Sequence, residues 1–268
     1  MKQKLTFIIP IRHHESAPNW QNTIRNLEAT IASINAQTEN SWRCIIVANV
    51  GSELPKLPAK FEVCRVDLPP NKHHLQGDAC KEDFWEAVRL DKGSRILLGL
   101  LYAQTLDYFM VVDDDDFIHR DLVKFVSCNS KENGWYFYDG YVWGDGGKFL
   151  LKHSKFYLYC GTSHIIKAKL IKLPSSLENA DMNYIKDMFG SHIKIKKALD
   201  ENGTPLLKLP FNGAIYRIGH SDAHSKSSGL FEHFFYKKAL LKQPKELLRR
   251  FLSLRLINNN IRSKFFGH

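Results

Sequence analysis

Along the first half of the chain, short uninterrupted apolar runs alternate with segments in which apolar residues recur at spacings of three and four. The runs at 5–11 (LTFIIPI), 42–50 (WRCIIVANV), 61–69 (FEVCRVDLP) and 107–112 (DYFMVV) are rich in β-branched and aromatic residues and predict buried strands. Between them, residues 22–37 place Ile24, Leu27, Ile31 and Ile34 on one helical stripe. Residues 81–105 predict a second helix, broken near Gly93, and 117–128 a third. Strands without polar alternation, separated by amphipathic helices, are the pattern of a mostly parallel sheet covered on both faces. After about residue 128 the pattern changes. Residues 134–153 are aromatic and carry Asp-Gly and Gly-Gly turn signals, which predict hairpins. A helix is expected over 178–189, and a strand followed by a polar loop over 207–225. Three parts follow: an α/β layer over 1–128, a more irregular layer over 129–236, and a tail over 237–268.

Composition changes this picture little. The 268 residues are 44% apolar and 25% charged, as in an ordinary soluble domain, and no apolar stretch is long enough to span a bilayer. The five cysteines (Cys44, Cys64, Cys80, Cys128, Cys160) are scattered and form no Cys-x-x-Cys pair, which argues against a disulfide framework or zinc ribbon and fits a reducing cytoplasm. Charge is more informative. Of the net +10, residues 237–268 supply nine Lys or Arg against one acid, Glu246, so the body is nearly neutral. That distribution excludes a nucleic-acid-binding body. Residues 244–256 form an amphipathic pattern, with Leu247, Phe251 and Leu254 on one face and Lys245, Arg249 and Arg250 mostly on the other. Such a helix suits either an anionic membrane surface or simple packing on the body. The expected location is therefore the cytoplasm, with a peripheral place on the inner face of the plasma membrane left open.

The chemistry concentrates where the fourth apolar run ends in Asp113, Asp114, Asp115 and Asp116. Adjacent carboxylates oppose one another's ionisation unless a positive charge is present. In open α/β sheets, ligands bind beyond the carboxyl ends of the strands. A hard divalent cation shared with substrate phosphates is one explanation of the run, and capping of the following helix is the other. One or two acids suffice for a cap; four exceed it.

In order, FIIPIR, CIIVANVGS and DYFMVVDDDDF resemble the nucleotide-sugar-binding half of GT-A glycosyltransferases, family 2 in particular, over roughly residues 5–125. The resemblance implies a GT-A (Rossmann-like) α/β fold with a C-terminal acceptor region, a nucleotide-diphosphate sugar donor, and Mn²⁺ or Mg²⁺ as cofactor. It would place Pro10 and Arg12 at the nucleobase end of the donor pocket. Asn49 stands where the family usually has an aspartate that accepts a hydrogen bond from uracil. An Asn can accept that bond and also donate. Asp113 and Asp115 would be the two acids of the D-x-D, with Asp115 the principal metal ligand and Asp113 nearer the ribose. Asp114 and Asp116 would support them. Lys92 and Arg95 fall where the family often places basic donor contacts, and a solvated helix face is the alternative for both.

An inverting transfer also needs a carboxylate to take the acceptor's proton. The family's acidic pair at a later helix start matches ENADMNYIKDMF, with Asp181 first and Glu178 as competitor; helix-start acids with no further role are the alternative. YRIGHSDAHS resembles a late segment that supplies a metal-binding histidine, here His220 and then His224. The pairs His13-His14 and His73-His74 stay unassigned, since neighbours on a strand point to opposite faces. Among Trp135, Tyr136, Tyr138, Tyr141 and Trp143, most are expected in the core and one or two against an acceptor, and Gly161 suits a close backbone approach. The expected activity is metal-dependent transfer of a sugar from a nucleotide-diphosphate donor, a UDP-sugar first, to a glycan or lipid-linked acceptor in surface polysaccharide synthesis. The alternatives are a nucleotidyltransferase, which would want a Gly-rich phosphate loop that IPIRHHESAPNW lacks, and a non-catalytic glycan- or membrane-binding module of the same fold.

Overall fold

The computed structural model describes residues 3–71, 81–219, 229–236 and 243–267. The apolar runs become parallel strands: β1 (Leu5–Pro10), β2 (Trp42–Asn49), β3 (Phe61–Val66) and β4 (Tyr108–Val111). β1 pairs with β2 from Leu5 opposite Trp42 to Pro10 opposite Val47, with β4 on its other side, and β3 flanks β2. Every residue of β1 is buried, so the run needs no polar alternation. Helices α1 (Trp20–Asn35) and α2 (Lys81–Tyr102) cover the sheet. Asn19 caps α1 by accepting the Asn22 amide at 3.2 Å.

Three sequence expectations are corrected. α2 runs unbroken through Gly93. A Cβ at that position would lie 2.7 Å from both Cγ2 and the carbonyl oxygen of Ile185, so the glycine serves close helix–helix approach rather than a break. The helix expected from 117 begins only at Leu122, as α3 (Leu122–Cys128), because Phe117–Ile118 is a short strand, β5. The cause is a buried polar stripe on α1 and the loop after it. Thr30 donates to the Asp116 carbonyl at 2.9 Å, Ser33 donates to the Ile118 carbonyl and accepts its amide, and Gln37 bonds the His119 carbonyl and the Val123 amide. These side chains satisfy the backbone in place of helical bonds. Finally, the tail helix ends early, as described below.

Four further strands lie in the second half of the chain: β6 (Gly134–Tyr136), β7 (Asp139–Gly144), β8 (Phe149–Ser154) and β9 (His164–Lys167). With β10 (Leu207–Lys208), β6 and β9 complete a seven-stranded sheet of order β10-β6-β9-β4-β1-β2-β3, in which β9 is antiparallel to both β4 and β6. β7 and β8 form the expected hairpin. Joined by β11 (Ala214–Ile218) and β12 (Leu254–Leu256), they make a second sheet of order β12-β8-β7-β11-β5. Helices α4 (Met182–Met188), α5 (Ile195–Glu201), α6 (Leu230–Phe234), α7 (Pro244–Leu252) and α8 (Asn259–Phe265) complete the fold. The basic amphipathic tail helix is α7. It stops at Leu252, where Ser253 bonds back to the Arg249 and Arg250 carbonyls and Leu254 pairs with Leu151 of β8. Strand pairing takes over from the helix there because β8 offers an open edge. Beyond it, Phe265 is buried and Phe266 packs on Phe117 and Trp143. Among the described residues no helix is long and apolar enough to cross a membrane.

Candidate functional site

β1 and β4 end side by side, and a cleft of about 380 Å³ opens beyond them. Pro10 and Arg12 enter it from β1, and Asp113, Asp114 and Asp115 from the turn after β4. α2 supplies Trp85, Arg89, Lys92 and Arg95, whose spacing of three and four puts them on one face. Gly190 to Ile193, after α4, and Tyr216 of β11 close the remaining sides. The cleft therefore gathers Pro10, Arg12, Lys92, Arg95, Asp113, Asp114 and Asp115 from distant parts of the sequence.

The four aspartates divide their work. Asp116 is fully buried and turned inward: Cys160 Sγ donates to its Oδ2 at 3.2 Å and the Arg217 amide to its Oδ1 at 3.2 Å. Burial, with Asp115 and Asp113 adding to it, pushes its carboxyl well above the usual carboxylate range. Asp116 thus ties the turn to β11 and to the Cys160 loop. Asp113 is held by its amide, which donates to Thr162 Oγ1 at 2.9 Å, and by Lys92, whose Nζ lies 2.5 Å from Oδ1. Burial works to lower the Lys92 pKa, but the Asp113 carboxylate outweighs it and the net direction is up. Asp114 is pushed up to about 7, by burial first and by Asp115 next, with Arg12 opposing. The turn therefore presents Asp113, Asp114 and Asp115 to a cleft whose wall also carries Lys92 and Arg12.

Arg95 is almost wholly buried beneath this surface. It makes a two-pronged ion pair with Asp91, at 3.0–3.1 Å, and donates from Nη1 to Asn49 Oδ1 at 2.7 Å. Asn49 uses its other end to donate to the Leu68 carbonyl at 2.6 Å. Both ends of the Asn49 amide are thus engaged inside the protein. It orients Arg95 instead of lining the cleft.

The remaining sequence candidates fall elsewhere. Asp181 is exposed and caps α4 by accepting the Tyr184 amide at 2.9 Å, and Glu178 is exposed just before it. Neither lines the cleft. His220, His224, His73, His74 and Cys80 lie outside the described residues. His13 and His14 are not on a strand: they sit in a turn and stack at 4.4 Å, with His14 bonded to Ser52. A Cβ on Gly161 would lie 2.7 Å from Asp113 Oδ2, the close approach expected there, although to a side chain rather than a ligand. Trp135 is core, whereas Tyr138 faces a separate cavity.

Sequence reasoning missed His192, Trp85 and Tyr216 in the cleft wall. His192 also reaches an inner hollow of about 30 Å³ shared with Lys92, Gly161 and His164. Ser163 donates its hydroxyl hydrogen to the Cys160 carbonyl, so it accepts from His164 Nδ1 and leaves His164 Nε2 as a bare lone pair. Nε2 of His164 and Nε2 of His192 are both buried without a partner. Burial lowers His164 to about 3 and His192 to about 4. The helix expected over 178–189 was visible, but nothing in it showed that the loop after α4 would return to α2.

No protein-family model and no curated protein matches the chain. Among solved structures it resembles S. aureus TarS 1-349 in complex with UDP (13% identity over 81% of this chain and 61% of that one, TM-score 0.46). It also resembles a second structure of S. aureus TarS 1-349 (12%, 81% and 60%, TM-score 0.45), and Mycobacterium tuberculosis Rv0371C in complex with manganese (8%, 81% and 92%, TM-score 0.37). The chain spans about 60% of the TarS 1-349 structures it resembles. At these identities and TM-scores the likeness carries no conclusion about this chain. Its own mixed α/β architecture, with a parallel core flanked by helices and an acidic turn after β4, is consistent with the GT-A-like fold the sequence motifs implied.

Proposed function

We propose that this chain binds a nucleotide-diphosphate sugar in the cleft beyond β1 and β4 and transfers the sugar to an acceptor hydroxyl. One observation carries the reading: Asp113, Asp114 and Asp115 face Lys92 and Arg12 across a single cleft at the carboxyl edge of a parallel sheet. The nucleoside would lie toward Pro10 and Arg12, with Arg95 fixed from below by Asn49 and Asp91. Lys92 would meet the diphosphate, and its charge would favour departure of the leaving group.

The residues fit a divalent cation that arrives with the diphosphate. Burial and the neighbouring carboxylates push Asp114 up to about 7, so a cation at the turn would relieve their mutual repulsion. Among the described residues, however, no group of three or more His, Cys, Asp or Glu is placed to hold a metal by itself. That is the donor set expected where Mg²⁺ or Mn²⁺ takes one or two carboxylates and completes its shell with phosphate and water. Asp115 and Asp113 would hold it, with His220 and His224 as further candidates. Such a cation supplies electrostatic stabilisation of the departing diphosphate.

Inversion requires a base on the acceptor side. Asp181 begins α4, which packs on α2 through Ile185 and Gly93, so an acceptor reaching across this helix start would meet its carboxylate. Glu178 is the competitor. A second reading, a nucleotide-sugar-binding module without turnover, is favoured by the position of both acids outside the cleft wall. Release of UDP, GDP, CDP or TDP from a panel of nucleotide sugars, offered with mixed glycan and lipid-linked acceptors, tests between them. Turnover that Asp181→Asn abolishes and Glu178→Gln does not supports the transferase with Asp181 as base. Donor binding without turnover on any acceptor supports the module.

A further inference from the structure

A second cavity, of about 250 Å³, lies between the end of β8 and α7. Its wall carries Lys152 and Lys155 from one side and Arg249 and Arg250 from the other. The compensating acids are few. Glu246 takes Arg249 through two bonds of 2.7 Å and Arg250 through one of 2.9 Å, and Arg250 Nη1 donates to the Phe234 carbonyl. Asp139 is 3.9 Å from Lys152 but is shared with Lys208 at 3.0 Å. Lys155 pairs with no carboxylate among the described residues. Its backbone is left-handed (φ 55°, ψ 34°), a conformation that a non-glycine residue rarely adopts. His153 also lines the cavity. Burial lowers its pKa, a backbone bond with Ser154 opposes, and Arg250 and Arg249 add to the lowering. The cavity is thus a concave site with four cations, two guanidinium forks among them, facing two shared carboxylates.

We propose that this cavity binds the phosphate of a phosphate ester, either a soluble phosphate monoester or an anionic lipid headgroup, between Lys152 and Lys155 on one side and Arg249 and Arg250 on the other. With their other nitrogens engaged, Arg249 and Arg250 each offer one Nη nitrogen, Nη1 and Nη2 respectively, as a charge-assisted donor, and the lysines add point charges. Volume favours an ester over a bare ion, since a single water occupies only ~30 Å³ of liquid. The cavity also has a defined relation to the cleft. His153 stacks on Tyr159 at 4.7 Å, and Tyr159 meets Tyr216, which lines the cleft, edge-on at 5.5 Å. Given the donor reading above, on which this step alone rests, the cavity is an anchor for an acceptor that carries phosphate a short distance from its reacting hydroxyl.

The test is titration calorimetry of the whole chain with sn-glycerol 3-phosphate at low ionic strength. In parallel, the chain is sedimented with phosphatidylcholine vesicles with and without phosphatidylglycerol. Both are repeated on Lys155→Ala and on Lys152→Ala/Lys155→Ala, two exposed positions whose folding is checked by circular-dichroism melting. Loss of two charge-assisted contacts is expected to weaken binding about tenfold or more. Glycerol phosphate bound by wild type and weakened in the double variant identifies a soluble ester, and phosphatidylglycerol-dependent sedimentation with the same loss identifies a headgroup. Excess UDP leaves either signal in place. Equal binding by wild type and the double variant, displacement by UDP, or no binding of either probe overturns the proposal. A cleft that binds no nucleotide would leave the glycerol phosphate result standing, so the two readings fail separately.

Discussion

Lys92 and Asp113, 21 residues apart in sequence, meet at 2.5 Å across the cleft, with Gly161 against both of them. One carries the positive charge a diphosphate would seek, and the other the carboxylate a cation would seek. Each compensates the other's charge.

Removing the cation of this pair should show at once in binding. Lys92→Met is expected to lower nucleoside-diphosphate affinity about tenfold to a hundredfold, the worth of a charge-assisted hydrogen bond of ~1.5–3 kcal/mol. Calorimetric titration of wild type and variant checks this. Unchanged affinity would mean that Lys92 only neutralises the acidic turn.

Gly161→Ala should act on the same pair without unfolding the chain. The new Cβ would lie 2.7 Å from Asp113 Oδ2 and 3.0 Å from Lys92 Nζ, both ends of side chains that can swing away. The melting temperature is expected to hold to within a few degrees, corresponding to less than ~1 kcal/mol, while diphosphate affinity falls. A large drop in melting temperature with affinity intact would reverse the assignment.

Asn49 separates two accounts of one position. If it read the nucleobase, Asn49→Ala would cost affinity and spare stability. The structure points the other way, because its amide satisfies buried Arg95 and the Leu68 carbonyl. Asn49→Ala is expected to lose about 1–3 kcal/mol of stability through groups left unpaired, measured by denaturant titration. Asn49→Asp, which keeps an acceptor beside Arg95, should lose less.

These residues show what could be read from the sequence. The apolar runs at 5–11, 42–50 and 107–112 were legible because buried parallel strands tolerate almost no polar residues, and the acidic turn was legible because four carboxylates at a strand end have few uses. Phe117–Ile118 was misread because the side-chain partner of its backbone, Ser33, lies 85 residues away and looks like the solvent face of a helix. Gly93 was misread because a glycine that breaks a helix and one that lets another helix approach look the same in one dimension. His192 and Tyr216 were invisible as cleft residues, since their place depends on how the second half folds back on α2.

Acid should loosen the fold through His164. Its imidazole is held neutral by burial and binds a proton in the folded chain only near pH 3, whereas an unfolded histidine does so near 6.5. Between these values the unfolded state binds more protons. Stability is therefore whole above pH 6.5 and falls as pH drops toward 3, by on the order of 2 kcal/mol at pH 5 from this residue alone. Denaturant titrations at pH 7.5 and 5 check the slope, about 1.4 kcal/mol per pH unit for each such group. His164→Gln should flatten it.

The most direct test of the central claim is calorimetric titration of UDP, then GDP, CDP and TDP, with and without Mn²⁺, into wild type and Asp115→Ala. The account predicts that one of these nucleotides binds, that Mn²⁺ strengthens binding, and that the strengthening disappears in the variant. Binding indifferent to both Mn²⁺ and Asp115, or no binding of any nucleotide, would contradict a cation and diphosphate site at the acidic turn.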